Sequence, residues 1–441
     1  MQLIATALEI PATEPFKNDV LERKSSIAVL SSIVGSLQPP FVMCIDSPWG
    51  TGKTTFLKLW QAHLRSSPIQ TLYFDAWTTD FAADPLVAFV SEILAMVKLK
   101  TSQSDQRQQQ VDAVKSIATA IAKYALPVGA ANSTKDFIEA YEAQKSLIEQ
   151  FHEAMQQLVQ TLPSASGVPR LLVLVDELDR CRPSYALELL ECIKHLFDVP
   201  NVVFALALDK RQLRSGAAAV YGAEIDAEEY LRRFIDLDFV LPTAKSLVFT
   251  QHLFHQFKFD ELFKDRVPPL PKYDADHLLL TFDRLATLFE LTLRNREHCF
   301  TRIRLVMLSL ETQQVHPALL AILVVLRTAA NDVYRRYVSE HGTAAEVLKF
   351  LRRQPGGDQF LDDPQGVVVE SFLVAAKASG RQGASELDAY THVANDANAS
   401  PEQRARAAQV ASLLRQLISE GDAHMLSSLL SNIDLATRLT N

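Results

Sequence analysis

Phe41-Val-Met-Cys-Ile-Asp-Ser47-Pro-Trp-Gly50-Thr-Gly52-Lys53-Thr54-Thr55 runs from a short apolar stretch through a loop of small residues into a helical pattern, in which Phe56, Leu57, Trp60 and Leu64 recur. A loop of this kind turns successive backbone N–H groups inward around a nucleotide's phosphates, and the following helix presents its positive N-terminal end to them. Lys53 is then placed to reach the β- and γ-phosphates, Thr54 to hold Mg²⁺ through its hydroxyl, and Thr55 to reinforce the α-phosphate contact. Ser47, Pro48, Trp49, Gly50, Thr51 and Gly52 complete the cradle. The first position of the G-x-x-x-x-G-K-[ST] pattern is Ser47 instead of glycine, which is expected to shift the start of the loop slightly. A fortuitous Gly-Lys-Thr in a turn would lack the strand before it and the amphipathic helix after it.

The second half of such a site stands at Leu171-Leu-Val-Leu-Val-Asp176-Glu177-Leu-Asp179-Arg180. A buried strand ending in an acid positions Asp176 for the Mg²⁺ shell, and Glu177, one residue on, can point at an attacking water as general base. The plain alternative for Glu177 is a surface carboxylate. Asp179 and Arg180 read equally well as a structural ion pair.

Short apolar runs at Phe41 to Asp46, Thr71 to Asp75, Arg170 to Asp176, Val202 to Asp209 and Phe234 to Leu241 alternate with helical stretches, which predicts a mostly parallel α/β sheet. Several of these strands end on an acid, at the edge where α/β sheets bind ligands. Residues 1–245 are expected to form the core, with a helical insertion at about 98–167. After Ser133, a helix N-cap, that insertion carries Phe137, Tyr141, Leu147, Phe151, Met155, Leu158 and Leu162 at helical spacing, to pack on the sheet or on a partner. Beyond Pro242 the chain reads as helical, with a lid over 246–345 and a C-terminal helical region over 346–441. Its breaks fall at Val267 to Pro271 and at Gly356-Gly357, and Ser400-Pro401-Glu402-Gln403 has the form of a helix start.

At 441 residues and 48% hydrophobic content the chain can bury a core larger than one small domain needs. A formal charge of −8 argues against a general nucleic-acid coat or a polybasic membrane anchor. Cys44, Cys181, Cys192 and Cys299 have neither zinc-knuckle nor redox spacing and read as reduced core residues in the cytosol. The N-terminus lacks the pattern of a secretory signal. The longest apolar run, Pro317 to Leu326, falls well short of the roughly 20 residues a membrane span needs. Ile117 to Ala131 is interrupted by Lys123 and Pro127, and a cytoplasmic chain without a transmembrane segment is expected.

With both halves of the site in view, the chain resembles the KAP family of P-loop NTPases, in the additional-strand group that also contains AAA+ and STAND proteins. The matching pieces are Pro48 to Thr54, Phe74-Asp75-Ala76-Trp77, Asp176 to Arg180, Asn201 to Asp209, Tyr230 to Pro242 and Leu293-Arg294-Asn295-Arg296-Glu297. The family usually has Asp-Asp where Asp176-Glu177 stands, and many members carry a pair of membrane helices where this insertion is too short and too charged. The resemblance implies that Asp209 is a sensor of the γ-phosphate or the attacking water, its alternative being a helix N-cap. It implies that Arg294 is the sensor arginine of the lid, and that Arg232 and Arg233 are candidates for a finger supplied to a neighbouring subunit. Ordinary solvated or ion-paired arginines are the alternative for all three. His252 and His255 stand three apart with no third ligand near, and a solvated or core face is the expected reading. Phe74 and Trp77 are expected to pack in the core at a strand end.

The function expected from these readings is an ATP- and Mg²⁺-dependent molecular switch that hydrolyses ATP and couples nucleotide state to a protein partner or a homo-oligomer, without clear nucleic-acid binding. Phage defence is the setting the resemblance implies. Two alternatives stay open, a nucleotide-gated scaffold that does not hydrolyse and a P-loop kinase. Against the kinase, the residues after Pro183 form a regular amphipathic helix where a mobile arginine-rich lid would be needed.

Overall fold

The structure, a computed structural model, describes residues 8–419 apart from 38, 83, 101–104, 125–133, 164–168, 244–245, 265–270, 310–315, 340 and 378–380, together with 429, 432 and 433. The chain divides after Thr243: Leu8–Thr243 forms one compact unit and the residues that follow form another.

Among the described residues, the first unit is built on five parallel strands, β1 (Phe41–Asp46), β2 (Ile69–Asp75), β3 (Arg170–Asp176), β4 (Val202–Leu208) and β5 (Leu237–Val240), in the order β2-β3-β4-β1-β5. This is the α/β class predicted from the alternation of strand and helix patterns. Both faces of the sheet are covered at its centre, so β1, β3 and β4 are buried along nearly their whole length, whereas the edge strand β5 alternates. Val42 and Cys44 of β1, Val173 and Val175 of β3 and Phe204 and Leu206 of β4 join one core. Their neighbours Met43, Ile45, Leu172, Leu174, Val203 and Ala205 join the other. Successive side chains on a strand point to opposite faces, and that alone divides the residues this way.

The second core is closed by α1 (Lys24–Ser36) and α2 (Lys53–His63), through Ile27, Leu30, Phe56 and Trp60. Between β2 and β3 come α3 (Ala76–Thr79), α4 (Pro85–Lys100), α5 (Asp105–Tyr124) and α6 (Thr134–Gln160). Val111, Val114 and Ile121 of α5 and Phe151, Met155 and Leu158 of α6 enter the first core with Phe197 and Phe204. The inserted helices therefore pack on this unit's own core, and Tyr141 of the expected stripe is exposed. The Ser133 N-cap lies outside the described residues. The unit is completed by α7 (Pro183–Leu196), α8 (Lys210–Tyr221) and α9 (Ala227–Arg232).

Two strand starts differ from the sequence expectation by two residues or more. β2 begins at Ile69, because pairing with Arg170 of β3 extends the ladder two residues earlier. β5 begins at Leu237 instead of Phe234, because the amides of Arg233 and Phe234 donate to Tyr230 and Leu231 at 3.2 and 3.0 Å and continue the turn that ends α9. Arg232 and Arg233 consequently do not lead directly into the strand.

In the second unit the described residues are helical. The helix Pro317–Ala329 is buried over Pro317 to Leu326, as an apolar run too short for a membrane requires. Gly356, with φ 77°, caps the helix Gly357–Asp362 at the expected break, while 265–270 of the proline-rich loop lie outside the described residues. Ser400 and Gln403 exchange backbone and side-chain hydrogen bonds at 3.0 and 3.1 Å, closing a capping box at the start of Pro401–Ser419. Among the described residues no helix is long and apolar enough to cross a membrane.

Candidate functional site

Parallel pairing aligns the carboxyl ends of β1 to β4. Asp46 stands opposite Leu208, Asp75 opposite Asp176, and Asp176 opposite Ala207. The order of the strands puts β4 between β1, which feeds the loop 47–52, and β3, which ends in Asp176. The residue after β4 is Asp209, so the loop, Asp176-Glu177 and Asp209 share one edge.

Two glycines let the loop turn. Gly50 and Gly52 have φ of 77° and 91°, in the region that penalises a Cβ, whereas Ser47 is not among the residues with positive φ. Serine at the first position therefore costs no backbone strain. Its amide donates to Leu208 O at 3.1 Å, which ties the start of the loop to β4. Thr51 Oγ1 donates to Pro48 O at 2.7 Å, and Thr51 O accepts from the buried Arg23 at 3.3 Å. Gly52 caps α2, and its carbonyl accepts from the Phe56 amide at 2.9 Å. Thr55 lies in the first turn of that helix.

Lys53, only 8% exposed, curls back over the loop. Its Nζ donates to Ser47 O at 2.7 Å and to Pro48 O at 3.2 Å, and lies 3.9 Å from Asp179 Oδ2. Burial lowers its pKa, and the carboxylates of Asp179, Asp209, Glu177 and Asp176 oppose that. Thr54 Oγ1 lies 3.4 Å from Glu177 Oε1.

Asp176 is 1% exposed and accepts from Tyr73 Oη at 2.7 Å and from the Glu177 amide at 3.0 Å. Burial raises its pKa, while hydrogen bonds from Tyr73, Thr54 and the Glu177 amide pull it back. Burial beside an anion raises the Tyr73 hydroxyl as well, keeping it a donor.

Glu177 adopts φ 60° and ψ 21°, a left-handed conformation uncommon for a residue with a Cβ. Its carbonyl accepts from the Arg180 amide at 3.1 Å, and its carboxylate forms an ion pair with the Arg180 guanidinium. Burial raises the Glu177 pKa, as does the neighbouring Asp176, and Arg180 lowers it. A raised carboxylate at a strand end is better suited to accept a proton near neutral pH than an ordinary glutamate. Arg180 in turn lies over the Trp77 ring, 5.8 Å from its centroid. Trp77 is 55% exposed, which corrects the expected core packing, while Phe74 is buried as expected. The reason is α3, which leaves the sheet one residue after Asp75 and carries Trp77 out with it.

The alternative reading of Asp179 and Arg180 as an ion pair does not hold, since Arg180 turns to Glu177. Asp179 is instead shared among three loops. Its Oδ2 accepts from Trp49 Nε1 at 2.6 Å and from the Asp209 amide at 2.8 Å, besides lying near Lys53. Asp209 has the geometry of the N-cap reading: its Oδ1 accepts from the Arg211 amide at 3.0 Å at the start of α8, and its carboxylate pairs with the Arg211 side chain.

The remaining arginines have contacts of their own. Arg232 pairs with Glu229 at 3.2 Å, one turn back on α9, and the Arg233 amide closes that helix on Leu231 O and Tyr230 O. Glu228, on the same helix, pairs with Lys210 and Arg214. Arg294 belongs to the second unit, in the first turn of Leu293–Ser309. The buried arginine of that segment is Arg296, which donates to Ser246 Oγ at 2.6 Å and lies 3.7 Å from Asp283. His255 pairs with Asp260, and among the described residues no group of three or more His, Cys, Asp or Glu side chains is arranged to hold a metal ion by itself.

Tyr73, Arg23 and the role of Asp179 as a shared acceptor were missed by reading the sequence. Each contact joins segments far apart in the chain, and no local pattern marks it.

The KAP family P-loop domain matches residues 23–283, more than half of the chain. No curated protein matches the chain in sequence. Similar solved structures include the Aeropyrum pernix ORC2 protein in its ADPNP-ADP complexes, with 13% identity, a TM-score of 0.36, and 94% of this chain and 97% of that one covered. Drosophila ORC bound to DNA follows at 13% identity and a TM-score of 0.31, covering 95% and 86%. AMPPCP-bound DnaA from Aquifex aeolicus follows at 12% identity and a TM-score of 0.28, covering 94% of each chain. At these scores none of them bears on the reading of the site.

Proposed function

The chain belongs to the KAP family, whose P-loop domain it carries, and we propose on that premise that it is an ATP-driven switch that binds ATP with Mg²⁺ and hydrolyses it. The observation that carries this reading is the convergence on one sheet edge of Lys53 and Thr54 with Asp176 and Glu177, Thr54 and Glu177 lying 123 residues apart in the chain.

The loop 47–52 and the start of α2 bind the phosphates through backbone N–H groups, and Lys53 exchanges its loop carbonyls for the β- and γ-phosphates. The carboxylates of Asp176, Glu177, Asp179 and Asp209 surround this one lysine, so a bare triphosphate meets net repulsion there. The donor set suits a divalent cation that arrives with the nucleotide: the Thr54 hydroxyl and the Asp176 carboxylate would hold it. Bound there, Mg²⁺ would supply positive charge against the phosphate oxygens. Tyr73 and the Glu177 amide keep Asp176 oriented toward that role. Glu177 takes the proton of the attacking water once its carboxylate leaves Arg180.

In the same proposal Asp209 reads the γ-phosphate in addition to capping α8, Arg294 acts as sensor from a lid over 246–345, and Arg232 or Arg233 completes a neighbouring subunit's site. The C-terminal region over 346–441 passes the change to a protein partner or a further copy of the chain. The same proposal puts the protein in the cytoplasm, on its cysteine usage, and in phage defence, on the family resemblance.

Calorimetric titration with ATP and Mg²⁺ tests the site. Lys53→Ala exchanges two charge-assisted hydrogen bonds for none, each worth about 1.5–3 kcal/mol, so affinity should fall by at least about 10²-fold. Unchanged affinity would remove this loop from the nucleotide site.

A further inference from the structure

The Asp179 side chain is 1% exposed, yet its hydrogen bonding is lopsided. Oδ2 accepts from Trp49 Nε1 at 2.6 Å and from the Asp209 amide at 2.8 Å, and it also faces the Lys53 ammonium at 3.9 Å. Oδ1 is buried and has no hydrogen-bond partner. Nearly all buried polar atoms in folded proteins find a partner, so a charged oxygen without one is a cost the fold carries for a reason.

The surroundings say what that reason is. Lys53 Nζ is held by two loop carbonyls, and of the carboxylates that favour its charged form Asp179 acts most strongly. Asp179 therefore stands in for an anion beside the lysine while fixing the loop through Trp49 and the end of β4 through the Asp209 amide. Polyphosphate arriving at the loop would take Lys53 away from Asp179 and bring like charge toward a buried carboxylate. A buried anion that loses its cation and gains an anionic neighbour pushes the newcomer out.

We propose that Asp179 is a positioning residue that presets the phosphate loop through Trp49 and competes with nucleotide phosphates for Lys53, holding nucleotide affinity down. This inference rests on the nucleotide-site reading above and adds to it a residue that opposes retention of the ligand. It has a sign opposite to that of a purely structural role, because removing the charge while keeping the shape tightens binding.

The test is calorimetry with ADP and with ATP, on wild type, Asp179→Asn and Trp49→Phe. The side-chain amide oxygen that Asp179→Asn introduces can still accept from Trp49 and the Asp209 amide, so the loop stays tied while the charge is gone. Affinity should rise by about tenfold for both nucleotides. Trp49→Phe leaves the carboxylate charged with one donor fewer, strengthening its hold on Lys53, and should weaken binding by about threefold. Tighter binding by Asp179→Asn together with weaker binding by Trp49→Phe supports the proposal. Equal or weaker binding by Asp179→Asn overturns it. If that variant does not fold, Asp179→Ala decides: tighter binding supports the proposal, equal or weaker binding overturns it. Wild type that binds neither nucleotide would instead overturn the nucleotide-site reading, and this inference with it.

Discussion

Replacing Asp176 by asparagine should make the first unit more stable while removing its use of Mg²⁺. The carboxylate is 1% exposed, and burying such a charge costs several kcal/mol. Tyr73 Oη at 2.7 Å and the Glu177 amide at 3.0 Å return about 1.5–3 kcal/mol each. The raised pKa of Asp176 gives the sign of the balance: burial outweighs the hydrogen bonds, so the charged form is disfavoured in the fold. An asparagine keeps both contacts, its oxygen accepting from the Glu177 amide and its NH₂ donating to the Tyr73 oxygen. The expected gain at neutral pH is about 1–2 kcal/mol, or a rise of about 2–8 °C in melting temperature for a unit of this size. Tryptophan fluorescence isolates the right transition, since Trp49, Trp60 and Trp77 are the three tryptophans and all lie within Leu8–Thr243. The melts are done with EDTA, so that no cation masks the charge. For an acid whose folded pKa is raised, the cost is full above that pKa and is relieved as protonation sets in. The advantage of the variant should therefore shrink as pH falls from neutral toward the unfolded value of 3.8. A variant less stable than wild type at neutral pH would refute the reasoning, because it would mean the carboxylate is net stabilising where it lies.

Tyr73→Phe removes one donor from Asp176 and should raise the Mg²⁺ concentration for half-maximal nucleotide binding by about 10–100-fold, read by titrating Mg²⁺ at fixed ATP; no shift would separate Tyr73 from the cation site. For the arginines on α9, protein carrying both Arg232→Ala and Arg233→Ala is mixed with Lys53→Ala protein and ATP turnover is measured. An arginine supplied in trans is worth about 10³-fold or more, so two inactive variants should recover part of the activity when mixed. Inactivity in mixtures that demonstrably co-assemble would leave Arg232 as what its contact with Glu229 makes it, one half of a surface ion pair.

The parts of the fold legible in the sequence were those set by periodicity. β1 and β3 were read with their boundaries because unbroken apolar runs ending in Asp46 and Asp176 leave a buried parallel strand little latitude. β5 was misplaced by three residues because Phe234 and Ile235 are apolar in either case, and only the backbone bonds that close α9 decide against the strand. Trp77 was misjudged for a related reason: an aromatic one residue past a strand end is buried or exposed according to where the next turn goes. Lys53, Thr54, Asp176 and Glu177, which the structure brings to one sheet edge, stood out in the sequence because a Gly-Lys-Thr loop and an acid at a strand end each have fixed local spacing. The Tyr73–Asp176 contact spans 103 residues and the Trp49–Asp179 contact 130, and spacing of that order carries no local signal.

The most direct test of the account is phosphate release from ATP with and without Mg²⁺, comparing wild type with Glu177→Gln, alongside ATP binding by both. The amide keeps the size of the side chain but cannot accept the water's proton. Turnover should require Mg²⁺ and fall by about 10²-fold or more in the variant, with ATP affinity retained. Turnover by Glu177→Gln at the wild-type rate would contradict the assignment of the base, and a wild-type protein that binds ATP without releasing phosphate would contradict the hydrolytic switch itself.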